Sequence, residues 1–293
     1  MFLFRSSSSI LSQLPVVLTT TTLLVMLTTT PFYVLATGLP IQADTEEFWY
    51  DYGEYAVDVG ASTELYVVSH GGSTFQLEWP FKPGHGYFRH FDGTVSKIAA
   101  GAGGKVYGMT YDGHIYYTTT RDGQWSYYGR GVSDPTIANG GYATDIGVDP
   151  FNSNGAMCYI GKHTHDAGGP IICNNVQLSE GLLGYSIDVM RNGMPIGINR
   201  FGHLYKATGT SYSNPHWVGL SNPNDVTTTT YLDVGVSPNY DVWAIRNDNN
   251  VDDKGHIDYW VSGSTFVKTI DMPTDVKAVS IAIDIHNVPW VCG

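Results

Sequence analysis

The sequence repeats itself about every 45 residues, and this repeat limits the chain to few architectures. Each copy contains an alternating apolar strand, a short turn, a second strand with an aromatic or apolar residue, and a third strand that follows glycine. We align the copies on one position of the first strand: Asp58, Ala99, Asp145, Asp188, Asp233 and Ala282. A repeat of this length is typical of the four-stranded blade of a β-propeller.

The two ends of the chain fit together as one repeat. The last copy begins at Ser280 and stops after two strands. Residues 37–42 have the pattern of a third strand, and residues 47–53 parallel the fourth strand at 124–129. Such closure removes the open edges of a linear array. The sequence therefore predicts an all-β fold, a six-bladed β-propeller of four-stranded antiparallel blades, with the last blade closed by the mature N-terminal strands. The third copy departs most, because it has an insertion at 149–154 and lacks an evident fourth-strand tryptophan.

The first 36 residues have the pattern of a secretory signal peptide. Arg5 precedes an apolar stretch at 14–27, and Ala36 ends a small-residue cleavage pattern. A membrane span is the alternative, which the many serines and threonines of this segment weaken. We therefore predict a signal peptide at 1–36 and a secreted propeller at 37–293, with no membrane span in the mature chain.

Charge and cysteines restrict the partners. The chain carries 15 basic and 27 acidic residues, and removal of Arg5 takes its net charge from −12 to −13. This acidity argues against nucleic acid as a partner. In a secreted chain a disulfide between Cys158 and Cys173 can form across a hairpin, which leaves Cys292 unpaired or available to another chain.

Three short motifs recur in register along the copies. The first is Asp-Val/Ile-Gly at 58–60, 145–147 and 233–235. The second is Val-Tyr, Val-Trp or Pro-Trp at 106–107, 242–243 and 289–290, and the third is Gly-His-Ile/Leu-Tyr at 113–116 and 202–205. With these motifs, residues 37–293 resemble the tectonin family of β-propeller lectins, which includes tachylectin-like and fish-egg-lectin-like proteins. The resemblance implies carbohydrate binding at blade edges or between blades.

The residue types also suit a sugar, whose C–H faces stack on aromatic rings and whose hydroxyls need fixed polar partners. The candidate ligand-binding residues are three histidines at one repeat position, four tryptophans and one arginine: His114, His203, His256, Trp79, Trp125, Trp217, Trp260 and Arg200. Each has a structural alternative, since tryptophans can pack between blades, histidines can cap turns and an arginine can lie in a solvated turn. Trp79 and Trp260 fall outside the repeating aromatic positions, which makes them the better stacking candidates.

Metal and catalytic signatures are weak. Asp248, Asn250 and Asp252 alternate in a loop that offers oxygens for Ca²⁺, but Asp253 replaces the glycine of an EF-hand loop and the closing glutamate is absent. Residues 163–166 contain two histidines, for which an exposed loop is the alternative to a zinc site. We predict no cofactor.

Three hypotheses for the function follow. The leading one is a secreted, noncatalytic lectin that binds surface glycans or lipopolysaccharide multivalently. The second is an extracellular structural or protein-interaction propeller without sugar binding, favoured by the divergent third copy and by the spare Cys292. The third is a glycan-cleaving enzyme, which needs paired acids that converge on the central channel. The recurring aspartates are more typical of a fold signature.

Overall fold

The structure is a computed structural model that describes residues 2–6, 48–51, 56–77, 88–119, 124–130, 143–151, 155–161, 168–178, 182–209, 211–212, 215–220, 229–247, 256–262, 267–272 and 277–293. The strands, in chain order, are β1 (Phe2–Ser6), β2 (Phe48–Asp51), β3 (Ala56–Ala61), β4 (Leu65–Ser69), β5 (Ser73–Leu77), β6 (Phe88–Thr94), β7 (Lys97–Ala100), β8 (Val106–Met109), β9 (His114–Thr118), β10 (Ser126–Arg130), β11 (Ala143–Val148), β12 (Met157–Gly161), β13 (Gly169–Cys173), β14 (Val176–Gln177), β15 (Leu183–Val189), β16 (Pro195–Asn199), β17 (Leu204–Thr208), β18 (His216–Leu220), β19 (Tyr231–Val236), β20 (Val242–Arg246), β21 (His256–Trp260), β22 (Val267–Asp271), β23 (Ser280–Ile283) and β24 (Pro289–Cys292). Within these ranges the helical structure is one 3-10 turn at Ala102–Gly104, and no helix is long and apolar enough to cross a membrane.

The strands form antiparallel sheets that follow the chain. Four sheets have four strands each, in the orders β2-β1-β24-β23, β3-β4-β5-β6, β10-β9-β8-β7 and β19-β20-β21-β22. A larger sheet, β11-β12-β13-β15-β16-β17-β18, joins two copies of the repeat, because β13 pairs with β15. The fourth strand of the third copy, β14, is only two residues long and pairs with β13. The prediction of an all-β fold built from four-stranded antiparallel sheets is confirmed, and the third copy departs most from the others.

The first strand of each copy lies innermost, and hydrogen bonds join these strands in succession. Three aspartates accept a backbone N–H from the innermost strand of the next copy, at 2.6–2.8 Å: Asp58 from Ile98, Asp145 from Ile187 and Asp233 from Ile281. The hydroxyl of Ser280 donates to Asp58 at 2.8 Å, so the last innermost strand is bonded to the first. This cycle of strands is the arrangement of a β-propeller. The count of six blades stays a prediction.

The structure corrects the alignment of the copies. A β-bulge adds one residue near the start of β3, β11, β15 and β19. The second strands align at Tyr66, Tyr107, Cys158, Ile196, Trp243 and Trp290. Their pairing partners in the first strands are, in the same order, Gly60, Ala99, Gly147, Asp188, Gly235 and Ala282. Ala99, Asp188 and Ala282 are therefore equivalent to Gly60, and the true equivalents of Asp58 lie two residues earlier. The predicted alignment was wrong at these three positions, and at Asp188 it followed aspartate identity rather than pairing.

The last sheet contains a strand from the extreme N-terminus. β2 forms its outer strand, close to the predicted position, but the strand beside β24 is β1, within the predicted signal peptide. The predicted strand at 37–42 lies outside the described residues. The apolar and aromatic residues that begin β1 favour strand pairing, and they satisfy the otherwise open edge of β24. The signal peptide itself stays a prediction.

The cysteines behave as the sequence predicts in one respect. Cys158 and Cys173 face each other directly across β12 and β13 and form a disulfide. Cys292 is unpaired and fully buried, in a cluster with Trp290. Since a buried thiol cannot reach a second chain, the suggestion that Cys292 links two chains does not fit the structure.

Candidate functional site

The innermost strands surround a narrow channel that is open to solvent. Each copy places one residue of its innermost strand at an equivalent position, directly after the bulge where a bulge occurs. Around the channel these residues are alternately a carboxylate and a hydrogen-bond donor: Asp58, Lys97, Asp145, Ser186, Asp233 and Ser280. Lys97 Nζ lies 3.2 Å from Asp58 and 3.7 Å from Asp145. The hydroxyl of Ser186 donates to Asp233 at 2.5 Å. We call these six residues the channel ring.

Burial shifts the acid–base behaviour of the channel. It raises the pKa of Asp145 to about 7, against the opposing effect of Lys97. Burial also raises the pKa of Asp58, and it raises the pKa of Asp188 well above its ordinary value. For Lys97 burial acts to lower the pKa, but the neighbouring carboxylates prevail and raise it well above the usual range. The channel therefore holds one persistent cation among carboxyl groups that readily take up protons.

The channel carboxylates have structural partners. Besides the three aspartates of the ring, Asp188 accepts the N–H groups of Val189 and Val236, each at 2.8 Å. Each carboxylate thus binds an N–H of the next innermost strand, a role that the architecture itself requires. This is the fold signature that the recurring Asp-Val/Ile-Gly motif predicted, and it gives the aspartates a reason to recur without catalysis.

The three candidate histidines lie at the same end of their sheets. His114 and His256 open the third strands β9 and β21, and His203 directly precedes the third strand β17. His114 and His256 each lie 3.3 Å from an exposed carboxylate, that of Asp112 and Asp271 respectively. The innermost strands begin at this same end, because neighbouring strands are antiparallel. We call it the entry face.

Around His114 the structure brings together an aromatic and polar cluster. Tyr127, 51% exposed, lies edge-on to Tyr116 with ring centroids 5.4 Å apart, and its hydroxyl is 3.5 Å from His114 Nδ1. The hydroxyl of Thr110 donates to Asp112, and this bond lowers the pKa of the Asp112 carboxyl. An exposed ring thus stands beside an ionised carboxylate and an imidazole. We call Asp112, His114, Tyr116 and Tyr127 the tyrosine–histidine cluster.

A second cluster occupies the turn before β17. Asn199 Oδ1 accepts the N–H groups of Phe201 and His203, each at 2.9 Å, which fixes the turn. Phe201 is 58% exposed, with the Arg200 guanidinium 4.4 Å from its ring centroid and the His203 ring 6.3 Å away. We call Arg200, Phe201 and His203 the arginine–phenylalanine turn. It presents an exposed ring beside two polar groups, at the repeat position of the tyrosine–histidine cluster.

The tryptophans mostly serve packing. Trp260 is only 6% exposed and lies edge-on to Tyr231 in a hydrophobic core, so its ring faces are covered. This burial does not fit the predicted stacking role, since Trp260 ends β21 facing inward. Trp125 packs on Phe91 and against Gly108, and Trp217 packs against two core clusters. Trp79 lies outside the described residues.

Neither loop with a weak metal signature belongs to the part of the chain that the structure describes. The loop from Asp248 to Asp253 and residues 163–166 both fall in its gaps. Within the described ranges, no three His, Cys, Asp or Glu side chains are grouped to hold a metal ion.

Sequence reasoning missed the exposed rings that stand beside two of the candidate histidines. Tyr127 follows Trp125 in a strand whose sequence pattern indicates packing, and Phe201 lies in a polar turn. An apolar ring in a solvated turn was a usable signal, because a turn of that kind has no packing need for phenylalanine.

The cycle of innermost strands defines the chain as a β-propeller. Comparison with solved structures finds matches that include two structures of YCF48. A structure of YCF48 bound to D1 peptide is 12% identical over 81% of this chain and 77% of its own, with a TM-score of 0.49. YCF48 from Cyanidioschyzon merolae is 13% identical over 85% of both chains, also with a TM-score of 0.49. Comparison with protein families and with curated proteins finds no match.

Proposed function

We propose that the protein is a secreted, noncatalytic lectin that binds glycans at repeated aromatic and polar clusters on its entry face. The observation that supports this most is the tyrosine–histidine cluster, in which the exposed ring of Tyr127 stands beside His114 and, through it, Asp112. A pyranose stacks its C–H face on such a ring and bonds its hydroxyls to the imidazole and carboxylate.

The arginine–phenylalanine turn supports the multivalent part of the proposal. It offers Phe201 as a second exposed ring, with Arg200 and His203 beside it, two copies further along the repeat. Two weak sites on one face gain affinity for a surface on which glycans are clustered. The resemblance of the repeat to tectonin lectins agrees with this arrangement.

A glycan array probed with the full chain tests the proposal. We expect selective binding to a group of related glycans or to lipopolysaccharide, with signals that fall when Tyr127→Ala and Phe201→Ala are combined. The matched control is Tyr185→Ala, which removes an equally exposed tyrosine (64%) from innermost strand β15. A folded wild-type protein that binds nothing on the array, or a double variant that binds like the wild type, contradicts the proposal.

A further inference from the structure

Exposed apolar side chains surround the entrance of the channel on the entry face. Tyr185, Leu232 and Val279 are 64%, 38% and 46% exposed, and Val57 is half-buried. Each directly precedes a residue of the channel ring along the chain. Their strands β15, β19, β23 and β3 follow one another around the channel, and Val57 packs on the core cluster that contains Tyr66 and Phe91. We call the three exposed residues at the start of consecutive innermost strands, Tyr185, Leu232 and Val279, the mouth arc.

Bulges accompany two of the exposed side chains of the mouth arc, those of Tyr185 and Leu232. In β3, β15 and β19 the pairing with the second strand skips one residue, and the skipped residues are Val57, Tyr185 and Leu232. A bulged residue leaves the regular alternation of the strand, so it need not point into either neighbouring sheet. In the other two copies the same place is taken by polar residues, Ser96 and Thr144. The apolar character is thus confined to one side of the mouth.

Directly below the mouth arc the channel is acidic. Four aspartates and one lysine line it: Asp58, Asp145, Asp188, Asp233 and Lys97. Lys97 lies between Asp58 and Asp145. Asp233, which directly follows Leu232, accepts two neutral donors, the hydroxyl of Ser186 and the backbone N–H of Ile281. Beneath the apolar arc, Asp233 is thus bonded to neutral donors, whereas the ammonium of Lys97 pairs with Asp58 and Asp145.

We propose that the mouth arc docks a protein segment that presents an apolar side chain next to a lysine or arginine. The apolar side chain packs on Tyr185, Leu232 and Val279, where its burial removes exposed apolar surface from water. The cationic group lies over the channel and is attracted by Asp233. Charge complementarity thus selects a basic segment, and the apolar arc favours a peptide over a sugar.

Selection from a phage-displayed library of random peptides, with the full chain immobilised, tests this proposal. We expect enriched peptides in which Leu, Ile, Met or an aromatic residue stands beside Lys or Arg. A synthetic peptide of the enriched motif should bind about tenfold more weakly to the double variant Leu232→Ser/Val279→Ser. Higher salt should also weaken it, since part of the attraction is electrostatic.

The matched control is Val176→Ser/Val261→Ser, which removes two valines of similar exposure (43% and 39%) away from the mouth. It should bind the peptide like the wild type. Replacing the basic residue of the peptide with glutamate tests the charge without altering the protein, and this change should abolish binding. Absence of an enriched motif, enrichment of uncharged or acidic peptides, or equal binding by the folded mouth variant overturns the proposal. Loss of array glycans from the mouth variant, with no peptide bound, also overturns it.

Discussion

Asp58 holds three different elements together through one carboxylate. It accepts the N–H of Ile98 and the hydroxyl of Ser280, and it pairs with the ammonium of Lys97. Replacing it with alanine leaves the buried N–H of Ile98 without its partner and leaves the Lys97 ammonium with Asp145 as its carboxylate partner. We expect Asp58→Ala to lower the free energy of unfolding by about 3 kcal/mol or more, measured by urea denaturation. Asp271→Ala, which removes an exposed carboxylate, should leave it unchanged, and equal effects of the two would refute this role.

The raised pKa of Asp145 makes stability depend on pH. An acid whose pKa is about 7 when folded and about 4 when unfolded binds its proton more tightly in the folded chain. Its contribution is therefore full below about pH 4 and is lost as the pH rises through about 7. We expect urea midpoints to decline from pH 5 to pH 7.5, and to decline less in Asp145→Asn. A variant with the wild-type pH dependence would show that Asp145 is not the titrating group.

The thiol of Cys292 is predicted to be inert in the native state. It is fully buried, and burial raises its pKa well above the ordinary value. A chromogenic disulfide reagent should react with it slowly in native protein and at once in denaturant, and non-reducing gels should show no Cys292-linked dimer. Rapid native reaction or a dimer that reducing agent removes would contradict this placement.

At the scale of elements, the Asp-Val/Ile-Gly motif is an attachment between innermost strands. The aspartate accepts an N–H from the next strand, and the glycine two residues later lets the two backbones approach. A Cβ on Gly147 would lie 2.6 Å from the Cα of Asp188, closer than side chains tolerate. The three copies that carry the motif alternate with three that supply Lys97, Ser186 or Ser280 as the donor.

This close approach predicts the effect of adding one methyl group. Gly147→Ala must push two backbones apart, and we expect it to destabilise the protein by about 1–3 kcal/mol. The control is Gly219→Ala, where the nearest atom to a new Cβ is 3.7 Å away, on the ring of Tyr205. Its effect should stay within about 0.5 kcal/mol. Thermal unfolding of both variants distinguishes them, and a tolerated Gly147→Ala would mean that the strands are not in close contact there.

The sequence predicts elements better than it predicts register. The Gly-His-Ile-Tyr motif at 113–116 was sufficient to place the start of β9, where Gly113 has a φ of +78°. The bulges were not predictable, because one extra residue in a strand leaves no compositional signal. Asp188 was therefore aligned with Asp58, although pairing makes Ser186 the equivalent residue.

Over the whole molecule, the predicted ligand-binding site stays a prediction, and the structure shows where its residues lie. The shared end of the sheets that carries His114, His203 and His256 follows from the repeat, which fixes where each third strand begins. The exposed rings beside them, Tyr127 and Phe201, depend on side-chain exposure, which the repeat does not determine. For Trp260 the sequence predicted exposure, because the residue lies outside the repeating aromatic positions. The structure instead buries it at the end of β21, where it pairs with Val242 of β20.

The entry face therefore carries two kinds of surface in separate places. The outer clusters combine exposed rings with polar groups, whereas the mouth arc is apolar and lies over an acidic channel. If both proposals hold, Tyr185→Ala weakens peptide binding and leaves glycan binding intact, and Tyr127→Ala does the reverse. Measuring both ligands on both variants checks this independence, and parallel losses in either variant would show that the two surfaces are one site.

Isothermal titration calorimetry with a glycan selected on the array tests the lectin proposal most directly. The wild type is compared with Tyr127→Ala, Phe201→Ala and the double variant. We predict that each single variant loses one class of binding site, with affinity at that site about tenfold weaker, and that the double variant loses both. A folded double variant that keeps the wild-type stoichiometry and affinity would contradict the account.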